Sequence, residues 1–265
     1  VDNNYCANTS NRGADLNRNF SFQWNCCGGS GSNGCDETYH GSGPGSEPEV
    51  QALQSYLQAN FPPQRVAGFP GGASPADATG VYLDIHSYSQ LVLWPWGGTG
   101  TPTDNATALT TLGRRFAWFN GYFPEQSIGL YPTDGTTVDF AYGDRGVAAY
   151  TFELGTDFFQ ACSTFENAIV PTNLQALRYA ARVVRTPFMT PGGPEALAVT
   201  VLPAVIAPGD PVTVTATLDD TRFSSDNGTE PVQAITAAEV YVDLAPWELG
   251  ATAVALTPDD GLWNS

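Results

Sequence analysis

Hydrophobic residues recur at helical spacing in three segments before residue 187. Intervals of three and four residues place such side chains on one face of a helix. Ser46 followed by Glu49 matches a capping box, which predicts the start of the first helix. Pro187 stops the third pattern, because proline cannot continue a helix. The three apolar stripes are Val50, Leu53 and Leu57; Leu109, Leu112, Phe116 and Phe119; and Leu174, Leu177, Ala181 and Val184.

Short apolar runs of strand character lie between these predicted helices, at residues 81–85, 91–94 and 149–154. Runs of this length, rich in aliphatic and aromatic residues, are typical of buried strands. Strands that alternate with helices indicate a layered α/β fold. The pattern therefore predicts a mixed, largely parallel sheet flanked by helices.

The pattern changes near residue 187, after which Gly and Pro punctuate short β-branched runs that have no helical period. Three of these runs are interpreted as strands, at 199–202, 212–218 and 238–244. A β-sandwich of the immunoglobulin-like type usually has about seven strands, so we expect an incomplete module. The predicted organisation is an α/β domain at 1–186, a linker at 187–194 and a partial β-sandwich at 195–265.

Charge narrows the range of partners. The 265 residues include 27 acidic and 10 basic ones, for a formal net charge of −17. Phosphate backbones and anionic headgroups repel such a surface, which argues against nucleic-acid and membrane-surface roles. No apolar run approaches the ~18 residues of a membrane span. Five cysteines indicate disulfides and an oxidising compartment, so we expect a secreted protein. We also expect a monomer.

Two titratable residues lie at the ends of predicted strands. His86 follows the strand at 81–85, and ligands of open α/β sheets bind beyond the carboxyl ends of strands. Glu153 ends an aromatic strand, where a carboxylate is rare unless it is paired, metal-bound or catalytic. An ion pair with an arginine is the alternative role for Glu153. His40 lies in a polar loop and is interpreted as a structural residue.

A third candidate group suits a carboxylate ligand. The guanidinium of Arg18 can grip a carboxylate through two hydrogen bonds, and the neighbouring amide of Asn17 can satisfy a further lone pair. A surface salt bridge between Arg18 and Asp15 is the alternative. Tyr131 precedes a Gly- and Thr-containing loop that could bring its phenol over a site.

Taken in order, these residues resemble the zinc metallocarboxypeptidases of the pancreatic carboxypeptidase A type, in particular an N-terminally truncated member secreted by a bacterium. The resemblance covers most of residues 11–186. It rests on residues 13–20 (GADLNRNF), 37–41 (ETYHG), 46–49 (SEPE), 85–90 (IHSYSQ), Tyr131 with its loop, and 151–154 (TFEL).

The resemblance implies a role for each matching residue. His86 becomes a ligand of a single zinc ion, and Glu153 the general base and acid. The implied substrate-binding residues are Asn17 and Arg18 for the terminal carboxylate, Tyr131 as the closing tyrosine, Tyr88 at a neighbouring subsite and Val138 for the terminal side chain. Substrates would be peptide or protein C-termini with apolar or aromatic end residues. A one-residue slip in the alignment would replace Val138 by Asp139 and blur this preference.

The sequence departs from the family at the metal site. The family's other two zinc ligands form a His-x-x-Glu pair upstream of the Asn-Arg motif, whereas only sixteen residues precede Asn17 and none is His. We therefore expect both ligands upstream of this chain and no peptidase activity from the chain alone. A non-catalytic secreted peptide- or surface-binding protein with a degenerate peptidase fold is the alternative. A metal-free hydrolase using Asp84 and Glu153 is a third hypothesis.

The cysteines allow several pairings. Family resemblance implies a Cys6–Cys35 disulfide, and Cys162 could reach either Cys26 or Cys27. One thiol then remains unpaired, since five cysteines cannot all pair within one chain. A zinc–thiolate site at Cys26, Cys27 and Cys35 is the alternative, although it lacks the usual Cys-x-x-Cys spacing.

Overall fold

A four-stranded sheet organises the first part of the protein in the computed structural model, which describes residues 13–65 and 72–263. Its strands, in chain order, are β1 (Val81–His86), β2 (Leu91–Trp94), β3 (Phe123–Gln126) and β4 (Ala148–Glu153). The spatial order is β1-β4-β2-β3, with parallel β1–β4 and β2–β3 pairs and an antiparallel β2–β4 pair. The predicted mixed, largely parallel sheet is confirmed.

Four α-helices accompany this sheet. They are α1 (Pro48–Asn60), α2 (Ala106–Asn120), α3 (Thr137–Arg145) and α4 (Val170–Val183). A short helical turn (Cys162–Thr164) and a π-helical turn (Phe165–Ile169) lead into α4. Turns of 3₁₀ type lie at Leu16–Arg18, Ser127–Gly129 and Thr190–Gly192.

The main core lies between the sheet and helix α2. Leu109, Leu112 and Phe116 are fully buried, as the helical stripe predicts. The Phe116 ring contacts the rings of Tyr150 and Phe152 on β4, with centroids 5.1 and 5.3 Å apart. Edge-to-face aromatic pairs of this kind add to the hydrophobic gain of burial. The core thereby fixes β4, the strand that ends at Glu153.

The predicted capping box of the first helix is wrong. Pro48 is the first helical residue, and Glu47 occupies the N-cap without a side-chain cap. The Ser46 hydroxyl instead accepts a hydrogen bond from Asn19 Nδ2 at 3.0 Å and donates one to Glu47 at 2.9 Å. Proline is pre-organised for the first helical position. The helix can therefore begin there while Ser46 ties the preceding loop to Asn19.

The third predicted helix forms, but its predicted buried face is wrong. Leu174, Leu177 and Val184 are 39, 37 and 39% exposed. The side chains that face the core are Asn173, Ala176, Tyr179, Ala180 and Val183. The buried Asn173 donates to the Tyr122 hydroxyl and accepts from Asn120. A polar residue satisfied in this way cannot be recognised as a core position from hydrophobic spacing.

The chain divides into two compact units, and Gly193–Arg222 together with the residues after Thr229 form the second. This unit contains two antiparallel pairs: β5 (Glu195–Leu202) with β6 (Thr213–Asp219), and β7 (Glu239–Tyr241) with β8 (Ala253–Ala255). An ion pair of 3.3 Å joins Arg222 and Glu195. The sandwich assignment stays a prediction.

The segment Phe223–Thr229 belongs to the first unit. The guanidinium of Arg115, a fully buried residue of α2, lies 3.6 Å from the centroid of the Phe223 ring. Its Nε donates to the carbonyl of Pro191 at 3.1 Å. Asn227 Nδ2 donates to Pro124 O at 2.8 Å. This segment, which we call the strap, therefore packs on α2 although it lies far outside residues 1–186.

Candidate active site

The residues singled out in the sequence converge at the carboxyl ends of β1 and β4. His86 and Glu153 are the last residues of these parallel strands and pair in register. A cleft of about 430 Å³ opens beside them. All seven predicted site residues line it: Asn17, Arg18, His86, Tyr88, Tyr131, Val138 and Glu153. Their individual roles stay predictions.

The imidazole of His86 is held by a carboxylate on its own strand. His86 Nε2 lies 2.9 Å from Asp84 Oδ2. This hydrogen bond is the largest influence on the pKa of His86 and raises it, while burial acts in the opposite direction. Since an ionised carboxylate can only accept, Nε2 carries the proton of the neutral ring, and Nδ1 carries the lone pair. Carboxylates commonly orient metal-binding histidines in this way.

Glu153 is half-buried beside this imidazole. Burial raises the pKa of Glu153, and Asp84 raises it further, while the neighbouring His86 lowers it. A carboxyl group whose pKa is raised towards neutrality is suited to both accepting and releasing a proton. The environment of Glu153 is therefore compatible with general acid–base chemistry.

Arg18 is buried at the cleft wall and fixed by two backbone carbonyls. Its Nη1 donates to Asn17 O at 2.7 Å, and its Nε donates to Gly29 O at 3.2 Å. Asp15 Oδ2 is 3.8 Å from Nη1, so the alternative ion pair is present only as a long contact. The two carbonyls use two of the five guanidinium donors. The remaining donors suit a ligand carboxylate in the cleft.

Asn17 is oriented by helix α3. Its Oδ1 accepts from the backbone N–H of Thr137, the first residue of α3, at 2.9 Å. This contact satisfies one of the N–H groups that a helix start leaves unpaired. Because the oxygen is engaged, Nδ2 is the amide atom suited to an anionic ligand. Asn17 and Arg18 thus present donors side by side.

Aromatic side chains line the opening of the cleft. Tyr131 is half exposed, with its ring centroid 6.0 Å from Arg18 Cζ. Tyr88 meets Phe158 edge to face, with centroids 4.8 Å apart. Phe158 also lines the cleft and is not among the predicted site residues. Its signal was an aromatic pair, Phe158 and Phe159, placed shortly after the strand that ends at Glu153.

Val138, and not Asp139, faces the cleft. Val138 lines its wall, whereas Asp139 is fully buried and accepts from the backbone N–H of Gly97 at 3.1 and 3.3 Å. Burial raises the pKa of Asp139 to about 7. The carboxyl group is therefore directed to the protein interior, and the wall of the cleft at this point is apolar.

A buried carboxylate anchors the loop that carries Gly29. Asp134 accepts from the backbone N–H groups of Cys27 and Gly29, at 3.0 and 3.1 Å, and from the Ser30 hydroxyl. Gly29 is required here, because a Cβ atom would collide with the backbone of Thr133. The sequence does not predict this network. Only the glycine-rich composition near residue 29 hinted at close backbone contacts.

The described residues do not complete a metal site. Across 13–65 and 72–263, no group of three or more His, Cys, Asp or Glu side chains is arranged to hold a metal ion. His86 fits one ligand position, whereas catalytic zinc sites use three protein ligands. The other histidine, the buried His40, has Nδ1 2.9 Å from the carbonyl of Gly41 and does not line the cleft. Its structural interpretation agrees with this setting.

The cysteine pairing differs from the prediction. Cys26 and Cys27 are bonded to each other, and Cys162 is a free, exposed thiol, so the predicted bond from Cys162 is wrong. Because the sulfurs of Cys26 and Cys27 are bonded to each other, they cannot act as thiolate ligands, and the zinc–thiolate alternative is wrong. Cys35 is disulfide-bonded. Its predicted partner, Cys6, lies outside the described residues.

Asp84 gives little support to a metal-free hydrolase. Its Oδ2 is engaged by His86 Nε2 and by the Thr137 hydroxyl. Asp84 is also absent from the lining of the cleft, where Glu153 lies. The two carboxylates therefore do not face a common substrate position, because Asp84 supports the imidazole from behind.

Fold and cleft together define an α/β protein with a cleft at the carboxyl edge of its sheet, lined by His86, Glu153, Asn17 and Arg18. Residues 2–178 match the sequence model of the zinc carboxypeptidase family. The chain belongs to this family, and its relatives are of the pancreatic carboxypeptidase type.

Two curated relatives and one solved structure illustrate the match. Zinc carboxypeptidase A 1 of Anopheles gambiae is 34% identical over 181 residues, which cover 62% of this chain and 37% of the relative. A zinc carboxypeptidase of Saccharothrix mutabilis subsp. capreolus is 38% identical over 153 residues, covering 56% and 32%. The crystal structure of thrombin activatable fibrinolysis inhibitor aligns with a TM-score of 0.55 at 26% identity, covering 68% of this chain and 44% of that one.

The chain thus spans less than half the length of these proteins. Among its described helices, none has the length and apolar character needed to cross a bilayer.

Proposed function

We propose that this chain provides the substrate-binding and proton-transfer side of a zinc metallocarboxypeptidase that releases C-terminal residues from peptides. The observation that carries the proposal is the convergence of His86, Glu153 and Arg18 on one cleft. These residues come from positions 18, 86 and 153, and each has the chemistry that its proposed role requires. Family membership supports the same reaction class.

Arg18 and Asn17 explain why the reaction would be confined to chain ends. Only a C-terminal residue offers a carboxylate next to its scissile bond. The guanidinium is pre-positioned by Gly29 O and Asn17 O, and such fixed donors lose little freedom on binding. Tyr131 would then cover the bound residue from the rim, where it is half exposed.

Glu153 would act on the attacking water. Its raised pKa lets it accept a proton from water and deliver it to the departing amine. Zinc, when bound, activates that water and polarises the scissile carbonyl. His86 would hold one zinc ion through Nδ1. Catalytic zinc sites use three protein ligands, and His86 is the one candidate ligand that the described residues place in the cleft.

The terminal side chain would be apolar or aromatic. Val138 and Leu93 both line the cleft, and Asp139 is directed to the interior. A basic end residue would meet no carboxylate at Val138. The pair Cys26–Cys27 and the charge of −17 support secretion into an oxidising compartment. We expect the protein to act as a monomer.

The test is the activity of the protein expressed from its complete coding sequence, loaded with zinc, on acylated dipeptides that end in Phe, Leu or Lys. Release of Phe and Leu should exceed release of Lys, and Glu153→Gln should lower kcat by roughly 10²–10⁴-fold. Glu37→Gln, an exposed carboxylate outside the cleft, is the matched control. Full activity in Glu153→Gln would remove the proposed base, and a preference for Lys would contradict the role of Val138.

A non-catalytic peptide-binding protein is the second candidate. It is favoured by one observation: the described residues bring the donors of Asn17 and Arg18 together at the cleft but hold no three-donor metal group. In that case the complete protein would bind a peptide ending in Phe without hydrolysing it in the presence of zinc. Arg18→Ala should abolish this binding, which isothermal calorimetry measures directly. Zinc-dependent turnover would exclude this candidate.

A further inference from the structure

Asp84 occupies a position from which it can control the His86 imidazole. The two residues are two apart on β1, so their side chains lie on the same face of the sheet. Asp84 Oδ2 and His86 Nε2 are 2.9 Å apart, and the Asp84 side chain is 19% exposed. The contact is partly shielded from water, which strengthens a charge-assisted hydrogen bond.

Helix α3 braces Asp84 from the other side. The hydroxyl of Thr137 donates to Asp84 Oδ2. The backbone N–H of the same residue donates to Asn17 Oδ1 at 2.9 Å. A continuous series of hydrogen bonds therefore runs from Asn17 through Thr137 and Asp84 to His86. It joins Asn17, beside Arg18, to the His86 imidazole, and each hydrogen bond has a defined donor and acceptor.

We infer that Asp84 is a positioning residue that holds His86 with its proton on Nε2 and its Nδ1 lone pair free for a metal ion. The carboxylate has no proton to donate, so it selects the Nε2–H form of the neutral ring. The inference rests on the proposed role of His86 as a ligand. Loss of such an outer partner typically weakens metal binding by about 10–100-fold.

His40 supplies an internal reference for testing this idea. The chain has only two histidines. His40 Nδ1 lies 2.9 Å from the carbonyl oxygen of Gly41, so the neutral His40 ring carries its proton on Nδ1. The structure thus assigns opposite tautomers to the two rings. Their nitrogen resonances should be distinguishable in one spectrum.

The experiment is NMR of this chain labelled with nitrogen-15 in histidine, at a pH where both rings are neutral and without metal. In the unmodified chain we expect a hydrogen-bonded Nε2–H resonance from His86 and an Nδ1–H resonance from His40. Asp84→Ala should abolish the His86 signal by exposing that proton to exchange with water, and it should leave the His40 signal unchanged. Asp77→Ala, which removes an exposed carboxylate elsewhere, is the control and should change neither signal.

Two further variants keep the test decisive if Asp84→Ala does not fold. Asp84→Asn retains an oxygen acceptor of the same shape and should preserve the Nε2–H signal at a reduced downfield shift. Thr137→Val removes only the hydroxyl that donates to Asp84, and it should broaden the His86 Nε2–H signal. A His86 Nε2–H resonance that persists unchanged in the alanine variant, or that is absent from the unmodified chain, would overturn the inference.

Adding Zn²⁺ to the labelled protein expressed from its complete coding sequence, with and without Asp84→Ala, separates this inference from the proposed function. Zinc should shift His86 Nδ1 and not His40, and the Asp84→Ala sample should need about 10–100-fold more zinc for the same shift. An equal zinc requirement in both samples would contradict the positioning role. If zinc shifts neither ring while Asp84 still determines the tautomer, the ligand role of His86 fails and its orientation by Asp84 stands.

Discussion

The two walls of the cleft are built in different ways. His86 and Glu153 end neighbouring strands in register, and the packing of Phe116 against β4 supports this strand wall. Arg18 and Asn17 lie in a short 3₁₀ turn, and the loop wall around them depends on buried carboxylates such as Asp134. The comparison shows that apolar packing fixes one wall and a polar network fixes the other. Variants should therefore disturb the two walls by different physical routes.

The largest effect should come from emptying the core behind the strand wall. Phe116→Ala should reduce the free energy of unfolding by about 3–5 kcal/mol, because it removes a buried ring and leaves a cavity. Urea denaturation followed by tryptophan fluorescence measures this loss. A change below about 1 kcal/mol would show that the strand wall does not depend on this packing.

Helix α3, which contacts the loop wall through Asn17, should carry a pH dependence through Asp139, the neighbour of Val138. Between the ordinary pKa of 3.8 and the folded value of about 7, the unfolded chain releases this proton and the folded chain keeps it. Stability should thus fall as pH rises from about 4 to about 7 and then level off, by up to about 4 kcal/mol.

Asp139→Asn tests this dependence, since the amide oxygen can still accept from Gly97 while the titration is removed. The variant should show a flatter profile of unfolding free energy against pH in urea melts. Asp157→Asn, an exposed carboxylate, should retain the original slope. An unchanged slope in Asp139→Asn would assign the pH dependence to other groups.

Asp134→Asn should loosen the loop wall selectively. An amide offers one good acceptor where the carboxylate serves three donors, so we expect a loss of about 1–3 kcal/mol in the free energy of unfolding. Binding of a peptide with a C-terminal Phe should weaken as well, because Gly29 O helps to hold Arg18. Calorimetric titration of the folded variant separates the two effects, and unaltered peptide binding would contradict the link from Asp134 to Arg18.

The smallest effect should appear on the outer face of α4. Leu174→Ala should change the free energy of unfolding by less than about 0.5 kcal/mol, since this side chain is 39% exposed. Tyr179→Ala, on the buried face, should cost about 3 kcal/mol. Equal losses of unfolding free energy in both variants would support the buried face that the hydrophobic spacing predicts.

Sequence patterns predict the strand wall better than the loop wall. Strands β1 and β2 agree with the runs at 81–85 and 91–94 to within one residue, because both runs are rich in aliphatic and aromatic residues. Strand β3 was missed, since it contains Pro124 and Glu125 and lies at the edge of the sheet. The positions of Asn17 and Arg18 beside His86 could be inferred only from family resemblance.

The contacts that hold the loop wall lie beyond any local pattern. Asp134 meets Gly29 across 105 residues of sequence, and Asn17 meets Thr137 across 120. Neither pairing follows from propensity or periodicity, because each is a tertiary contact between segments far apart in the sequence. The same reason explains why the sequence does not reveal the contact of Asp84 with Thr137, which forms only once β1 and α3 are packed.

The strap also determines how this protein can be cut for laboratory use. Shortening the gene after Gly192 would discard the Phe223 ring that covers Arg115, a charged side chain with no exposed surface. Removal of the Phe223 ring would expose Arg115 and the helix–sheet layer around it to water. The shortened product should therefore precipitate or degrade during expression. A usable fragment of the first unit would have to retain residues 223–229, for instance on a short designed tether.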